Sequence, residues 1–227
     1  MSLALRLSIA MILLVVVTTA GTGMLIYKRA NDASRPVVFE SLKARAGILA
    51  DGLTDYVAGS REDVMMLADL PAVQATAELK RTGGTIDGRN YAAWRAQLAA
   101  EMLAVIKAKH SYAQVRLIGL DDDGRELVRV ERDRLTGTTR IVPNNELQSK
   151  GERNYYRDAV TLPAGTLYVS QVSYNRERGE IELPAWPTVR LATAIRDGND
   201  RALGIVIINV DLKELFTELP KGGFKGG

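Results

Sequence analysis

The longest apolar stretch of the chain lies close to its N-terminus. Residues 7–27 contain no charged side chain; Arg6 precedes them, and Lys28 and Arg29 follow. At a rise of about 1.5 Å per residue, a helix of this length crosses the roughly 30 Å hydrocarbon core of a bilayer. The pattern therefore predicts a transmembrane anchor over residues 7–27.

A cleaved signal peptide is the alternative interpretation of this stretch. Signal peptides have a short apolar core followed by a cleavage site of small residues, but here Ala20, Gly21 and Gly23 are followed by further apolar residues. We therefore favour an uncleaved anchor. The charges leave its orientation open, because more basic residues follow the segment than precede it, whereas long domains translocate largely regardless of charge.

Apolar positions recur at helical spacing after the anchor. A break is expected at residues 31–36, which include Pro36, and a second one at Gly59 and Ser60. Between these breaks a single apolar stripe consists of Val38, Leu42, Ala46, Leu49, Leu53 and Tyr56. This periodicity predicts a helix, whose stripe packs either in the domain's own core or against a second subunit. Two more helices are predicted over residues 61–80 and 91–109.

The pattern then alternates between apolar and polar residues, as in strands. The predicted strands are residues 112–120, 125–132, 165–173, 188–196 and 202–210. A turn at residues 121–124 joins the first two strands, and another at 197–200 joins the last two, as in hairpins. Short helices are expected over residues 152–160 and 212–219. The order predicts an α+β fold with long N-terminal helices packed on a five-stranded antiparallel sheet.

Composition and charge exclude several function classes. The net charge of +3 comes from interspersed residues and forms no basic cluster, which argues against a nucleic-acid partner. With one histidine, His110, and no cysteine, the usual catalytic triads and zinc sites cannot be built. Asp121, Asp122 and Asp123 lack the spacing of a calcium loop, so a turn is preferred. We expect no catalytic residue, metal or cofactor; whether a longer parent protein is an enzyme is left open.

Five segments together resemble the Cache family of sensor domains, also described as PAS-like or PDC. They are residues 112–132, 151–160, 167–173, 187–195 and 201–216. The resemblance is to the membrane-distal module of a double-Cache receptor. It implies a PAS-like antiparallel sheet, a ligand pocket between that sheet and the short helix, and an extracytoplasmic location. Receptors of this kind are histidine kinases, diguanylate cyclases or chemoreceptors.

This resemblance leads to a domain layout. Residues 1–6 are expected to be a cytoplasmic N-terminus, 7–27 the anchor in the inner membrane, 28–219 a periplasmic sensor domain, and 220–227 a linker toward a second module. On this interpretation the chain is a piece of a receptor. A sensor histidine kinase is the preferred parent; a cyclase, a chemoreceptor or a ligand-free, membrane-anchored interaction domain are the alternatives. The expected partners are a small ligand, the membrane and a second copy of the chain.

The candidate ligand-binding residues follow from the same resemblance. Arg153, Tyr155, Tyr156 and Ala159 fall on a pattern by which amino-acid-sensing Cache domains hold a ligand carboxylate, with Tyr155 in place of tryptophan. An arginine fork suits a carboxylate because it forms paired, charge-assisted hydrogen bonds. Asp211 matches the family position that holds a ligand ammonium, but it is also well placed as the N-cap of the closing helix.

Three further candidates lie in the neighbouring strands. Tyr174, Trp186 and Arg190 are expected near the pocket. Gln148 stands where the family pattern has a tyrosine, and Val172 and Tyr174 do not fit its Tyr-x-Asp segment. The ligand class therefore stays open between an amino acid and a simpler small carboxylate.

Overall fold

The computed structural model describes residues 3–177 and 179–218. These residues belong to two compact units, Met1–Asp51 and Gly52–Gly227. The N-terminal unit is helical in its described part, and the C-terminal unit contains the sheet and the remaining helices. The first helix of the chain, α1, extends over Leu3–Ala68.

The N-terminal unit contains a segment suited to a membrane. Leu7–Arg29 is 23 residues long and has a mean hydropathy of 2.3. The most apolar stretch of this segment is not buried by the rest of the protein. This agrees with the predicted anchor by length and composition. The predicted breaks at residues 31–36 and at Gly59 are wrong, because α1 is continuous through both. A proline removes one backbone donor and a glycine costs about 1 kcal/mol relative to alanine, so each weakens a helix without having to end it.

The apolar stripe of α1 divides into exposed and packed residues. Ala46 and Leu49 are exposed, whereas Leu53 and Tyr56, in the C-terminal unit, pack against the hydrophobic core. The side chains of Val38 and Leu42 lie outside the described residues. Among the described side chains of the stripe, those at its C-terminal end therefore serve the domain's own core.

The remaining helices are short except for one. They are α2 (Pro71–Thr82), α3 (Tyr91–Ala108), α4 (Asp121–Gly124), α5 (Asn154–Val160) and α6 (Lys213–Glu218), with a 3-10 turn at Asn144–Glu146. The predicted helix 61–80 is divided at Leu70, and Pro71 begins the new helix, where its missing N–H costs nothing. Residue 219, the predicted end of the closing helix, lies outside the described part of the chain.

The strands form one large sheet and two small hairpins. They are β1 (Thr85–Ile86), β2 (Arg89–Asn90), β3 (Tyr112–Gly119), β4 (Glu126–Arg132), β5 (Thr139–Ile141), β6 (Leu167–Val169), β7 (Ser173–Tyr174), β8 (Arg176–Glu177), β9 (Glu180–Ile181), β10 (Pro187–Arg196) and β11 (Ala202–Asp211). The large sheet has the order β5-β4-β3-β11-β10-β6, and β7 also pairs with β10. All of these pairings are antiparallel.

The predicted antiparallel α+β architecture is confirmed, with seven strands in the described sheet instead of five. The predicted strand 165–173 is divided into β6 and β7, and β5 was not predicted. Strands of two or three residues are too short to show an alternating pattern, which explains why the sequence did not reveal them.

Both faces of the sheet are covered, because every residue of β3 is buried. On one face the end of α1, α2 and α3 enclose the main hydrophobic core, which includes Leu67, Leu98, Met102, Val115 and Ile208. On the other face a smaller cluster packs beneath α5: Ile118, Tyr156, Ala159, Ala192, Ile205 and Ile207. The polar residues of this second face define the candidate site.

Candidate functional site

A cavity of about 740 Å³ lies on the second face of the sheet, next to α5. Its walls are the start of α5, the segment of residues 168–176, and the side chains of Arg116 on β3 and Arg190 on β10. Cavities that hold small ligands range from about 300 to 1,000 Å³, so its size suits a small molecule.

Four of the seven predicted site residues line this cavity: Arg153, Tyr155, Tyr174 and Arg190. A fifth, Tyr156, is buried beneath α5, where its hydroxyl donates to the carbonyl of Gly119 at 3.0 Å. Tyr156 therefore packs the helix onto the sheet, and it does not line the cavity.

The other two predicted residues, Trp186 and Asp211, line a second cavity of about 590 Å³. The Trp186 ring lies 4.1 Å from the ammonium of Lys213 and 5.2 Å from the guanidinium of Arg134. The Asp211 carboxylate accepts from the backbone N–H of Lys213 at 2.8 Å. Asp211 thus lies one residue before the N-cap position of α6, which Leu212 occupies, and its carboxylate holds the backbone at the start of that helix. It does not line the cavity that contains Arg153 and Arg190.

Arg190 is the most unusual residue of the first cavity. It is only 7% exposed, and its guanidinium donates to Ser173 Oγ at 2.9 Å, to Asn175 Oδ1 at 3.2 Å and to the Tyr174 carbonyl at 3.4 Å. All three acceptors are neutral. Burial, and then the nearby charge of Arg116, lower the pKa of Arg190 to about 10. Within the described residues, no carboxylate forms an ion pair with this buried cation.

Tyr155 connects Arg190 to a second arginine. The guanidinium groups of Arg116 and Arg190 lie over its ring, at 5.7 and 5.8 Å from the centroid, and Arg116 Nη1 donates to its hydroxyl at 3.5 Å. An aromatic face attracts cations through its quadrupole. Tyr155 therefore helps to hold two like charges on one wall of the cavity.

Arg116 belongs to a buried charged network, which we name the sheet network: Gln114, Arg116, Glu126, Arg129, Lys150, Glu177 and Asn209. The Arg116 side chain is 2% exposed and lies 3.3 Å from the Glu126 carboxylate, whose side chain is fully buried. Its other terminal nitrogen donates to Asn209 Oδ1 at 2.8 Å. Since removing a charge from water costs several kcal/mol, this pairing is what permits Arg116 to be buried.

Glu177, from the short strand β8, completes the sheet network. Its carboxylate lies 3.2 Å from Arg129 and 3.3 Å from Lys150 and accepts from Gln114 at 3.0 Å. Burial alone would raise the pKa of Glu177, but the positive charges of Arg116, Lys150 and Arg129 outweigh it and lower the pKa to about 2. This carboxylate attaches the β8–β9 hairpin to the sheet beside the cavity.

Sequence reasoning missed the sheet network, although one signal for it exists. Gln114 and Arg116 alternate with the core residues Val115 and Leu117 on β3. Asn209 is likewise a polar residue within an apolar strand. Polar side chains at alternate positions of a fully buried strand indicate a polar layer inside the domain, because buried polar groups need partners.

Comparison with known proteins decides the family. The model of the family described as "Bacterial histidine kinase, sensor domain" matches residues 88–220, more than half of the chain. The chain belongs to this family. A search among curated proteins gave no match.

Solved structures similar to this histidine kinase sensor domain share its fold. One is a domain of a protein assigned to the sensory box/GGDEF family of Vibrio parahaemolyticus, with a TM-score of 0.59 and 21% identity, covering 75% of this chain and 60% of that one. Another is the extracellular domain assigned to histidine kinase vpHK1S-Z8, with a TM-score of 0.58, 21% identity and coverage of 77% and 60%. A third, "Methyl-accepting Chemotaxis protein X", has a TM-score of 0.55, 13% identity and coverage of 81% and 66%.

These findings confirm the predicted Cache, PAS-like sensor fold. The chain spans about 60% of the length of the first two structures that it matches. The sensor domain therefore corresponds to a part of those proteins.

Proposed function

We propose that this chain is the extracytoplasmic ligand-sensing part of a membrane-anchored bacterial receptor, and that its first cavity binds a small ligand through a carboxylate. One observation carries the proposal. Arg190 is a buried guanidinium that lines the cavity, and its hydrogen-bond acceptors are all neutral.

A ligand carboxylate would supply the anion that Arg190 lacks. Hydrogen bonds to charged groups contribute about 1.5–3 kcal/mol each, and an arginine presents two parallel donors to a carboxylate. Arg153 adds a second cation from the start of α5; after burial and Arg116, its charge is a smaller contribution to the lowered pKa of Arg190. Tyr155 supplies an aromatic wall beside both groups.

The anchor and the family support the proposed membrane placement. Leu7–Arg29 can cross a bilayer, which would put residues 1–6 in the cytoplasm and the sheet domain in the periplasm. Membership in the histidine kinase sensor family favours a histidine kinase as the parent protein over a diguanylate cyclase or a chemoreceptor. The exposed residues Ile48 and Leu49 of α1 are the proposed contact between two copies of the chain.

The signal would travel through helix displacement. Arg190 on β10 pairs in register with Asn209 on β11, and β11 ends at Asp211, whose carboxylate accepts from the backbone N–H of Lys213 at the start of α6. The Asp211 carbonyl also accepts from the hydroxyl of Tyr56 on α1 at 3.2 Å. A ligand that draws β10 and α5 together would thus bias two helices, by no more than its difference in affinity for the two arrangements.

Calorimetric titration of the full chain in lipid nanodiscs, against a panel of small carboxylates and amino acids, tests the binding proposal. We expect at least one carboxylate to bind. We also expect Arg190→Lys, which replaces the fork by a point charge, to weaken binding about tenfold or more. Arg196→Lys is the matched control, because Arg196 lies on the same strand but does not line the cavity.

Two results would contradict the proposal. One is that no carboxylate or amino acid binds, which would favour a ligand-free interaction domain. The other is a carboxylate that binds equally well to the wild type and to Arg190→Lys, provided that both unfold at the same temperature.

A further inference from the structure

The charges around the first cavity narrow the class of carboxylate, because among the four arginines that line it only Arg116 has a carboxylate partner within the described residues. Arg116, Arg129 and Lys150 of the sheet network each have a carboxylate within 4 Å. Arg153, Arg176 and Arg190, which also line the cavity, have none within residues 3–177 and 179–218. Arg176 is exposed and donates to the carbonyl of Gly179 at 3.1 Å. The cavity therefore offers two cations, Arg153 and Arg190, that are at least partly buried and have no carboxylate within 4 Å among the described residues; the charge of Glu177 acts on Arg190 from a greater distance.

These two cations come from different walls. Arg190 projects from β10 in the sheet, whereas Arg153 is the residue immediately before the first turn of α5. Both line the cavity. A ligand that neutralises both charges has two anionic ends, since one carboxylate has the geometry to fill a single guanidinium fork.

An ammonium group, in contrast, finds little to bind in the same cavity. The carboxylates that line it, Glu152 and Asp158, are both exposed at its rim, where an ion pair contributes little. The three acceptors beside Arg190, of which only Asn175 is buried, already receive its hydrogen bonds. Asp211, the expected ammonium partner, lines the other cavity and accepts from the backbone N–H of Lys213.

We propose that this cavity selects a small dicarboxylate over a monocarboxylate and over an amino acid, with Arg190 holding one carboxylate and Arg153 the other. This inference rests on the proposed carboxylate-binding function. Arg153 is accordingly a specificity-determining residue, which discriminates by the second charge of the ligand and leaves the first to Arg190.

Three ligands of nearly equal length test the inference: butanedioate, butanoate and 4-aminobutanoate. They carry a carboxylate, a methyl group and an ammonium, respectively, at the second end. In calorimetric titrations of the full chain in nanodiscs, we expect butanedioate to bind about tenfold or more tightly than butanoate. We expect 4-aminobutanoate to bind no more tightly than butanoate.

Variants on α5 assign the preference to one residue. Arg153→Gln should reduce the preference for butanedioate over butanoate to about twofold or less, since the second charge loses its partner. Arg157→Gln is the matched control, because Arg157 lies on the same helix, is exposed and does not line the cavity. The control should keep the wild-type preference. Thermal unfolding of both variants verifies that the fold is intact.

Several outcomes would overturn the inference. Tighter binding of 4-aminobutanoate, an α-amino acid or inorganic phosphate than of butanedioate would do so, as would an unchanged preference in Arg153→Gln. If an amino acid binds tightly and Arg190→Lys abolishes that binding, the inference fails but the proposed function stands. If no carboxylate binds at all, both fail.

Discussion

Replacing Glu126 with glutamine removes the central negative charge of the sheet network and keeps the shape of the side chain. The Glu126 carboxylate is fully buried, 3.3 Å from Arg116 and 3.2 Å from Arg129, whose side chains are 2% and 5% exposed. It also accepts from the backbone N–H of Gln148 at 3.0 Å. The amide oxygen can retain one of these hydrogen bonds, but the two guanidinium groups lose their shared counter-charge.

The expected cost follows from the burial of all three groups. Removing one partner of a buried ion pair costs about 3–5 kcal/mol, because the remaining charge is left uncompensated. Glu177 offsets part of that charge through Arg129, so we expect the lower half of the range, about 3–4 kcal/mol. For a domain of 150–250 residues, 1 kcal/mol corresponds to about 2–4 °C, and the unfolding temperature should fall by roughly 6–16 °C.

Thermal unfolding of the full chain in detergent, followed by near-ultraviolet circular dichroism, measures this change. Glu152→Gln is the matched control, since Glu152 is an exposed carboxylate at the cavity rim, and it should shift stability by about 0.5 kcal/mol or less. If Glu126→Gln is no more destabilising than Glu152→Gln, the buried charges do not depend on Glu126 and our account of the sheet network is wrong.

Two other predictions concern acid stability and signal transmission. The pKa of Glu177 is about 2 in the folded domain, below about 4.3 in an unfolded chain, so its ionised form adds about 3 kcal/mol above pH 5 that is lost as the pH falls toward 2. The difference in unfolding free energy between the wild type and Glu177→Gln should narrow over that range; a constant difference would contradict this. Tyr56→Phe should uncouple α1 from the Asp211 carbonyl. Spin labels at Asp55→Cys and Phe216→Cys are feasible because the chain has no cysteine. When ligand is added, the distance between the two labels should change less in Tyr56→Phe than in the labelled protein that retains Tyr56; an equal change would exclude this route.

Periodicity predicted most of the fold because the long elements repeat one signal many times. The strands at β3, β4, β10 and β11 end within about two residues of their predicted bounds. Where the prediction failed, a residue that weakens a helix was taken to end it. Pro36 and Gly59 are poor helix residues, yet α1 passes through both.

The candidate site was predicted only in part, for a physical reason. Four of the expected residues do line the cavity: Arg153, Tyr155, Tyr174 and Arg190. Each of them lies on α5 or β10 or in a segment next to one of these elements, so the position of the element limits where the side chain can lie. Asp211 could be read as a ligand contact or as an N-cap from sequence alone, since both roles need a carboxylate at the end of a strand.

The sheet network depends on pairing across strands, which a single sequence does not reveal. Arg116 meets Asn209 because β3 and β11 are adjacent, although the two residues are 93 positions apart. Glu177 reaches Lys150 and Arg129 from a two-residue strand that no periodicity predicts. Only the tertiary structure shows that these charges pair with one another, and that among residues 3–177 and 179–218 no carboxylate forms an ion pair with Arg190.

Magnetic resonance of labelled side chains tests the central claim most directly, because the two cavities contain separate reporters. In the full chain with ¹⁵N-labelled arginine and tryptophan, butanedioate is added while the Nε–H signal of Arg190 and the indole signal of Trp186 are followed. We predict a saturable shift of the Arg190 signal, identified by its absence in Arg190→Lys, with the Trp186 signal nearly unchanged. A saturable shift at Trp186 with none at Arg190 would place the ligand in the other cavity and contradict the account.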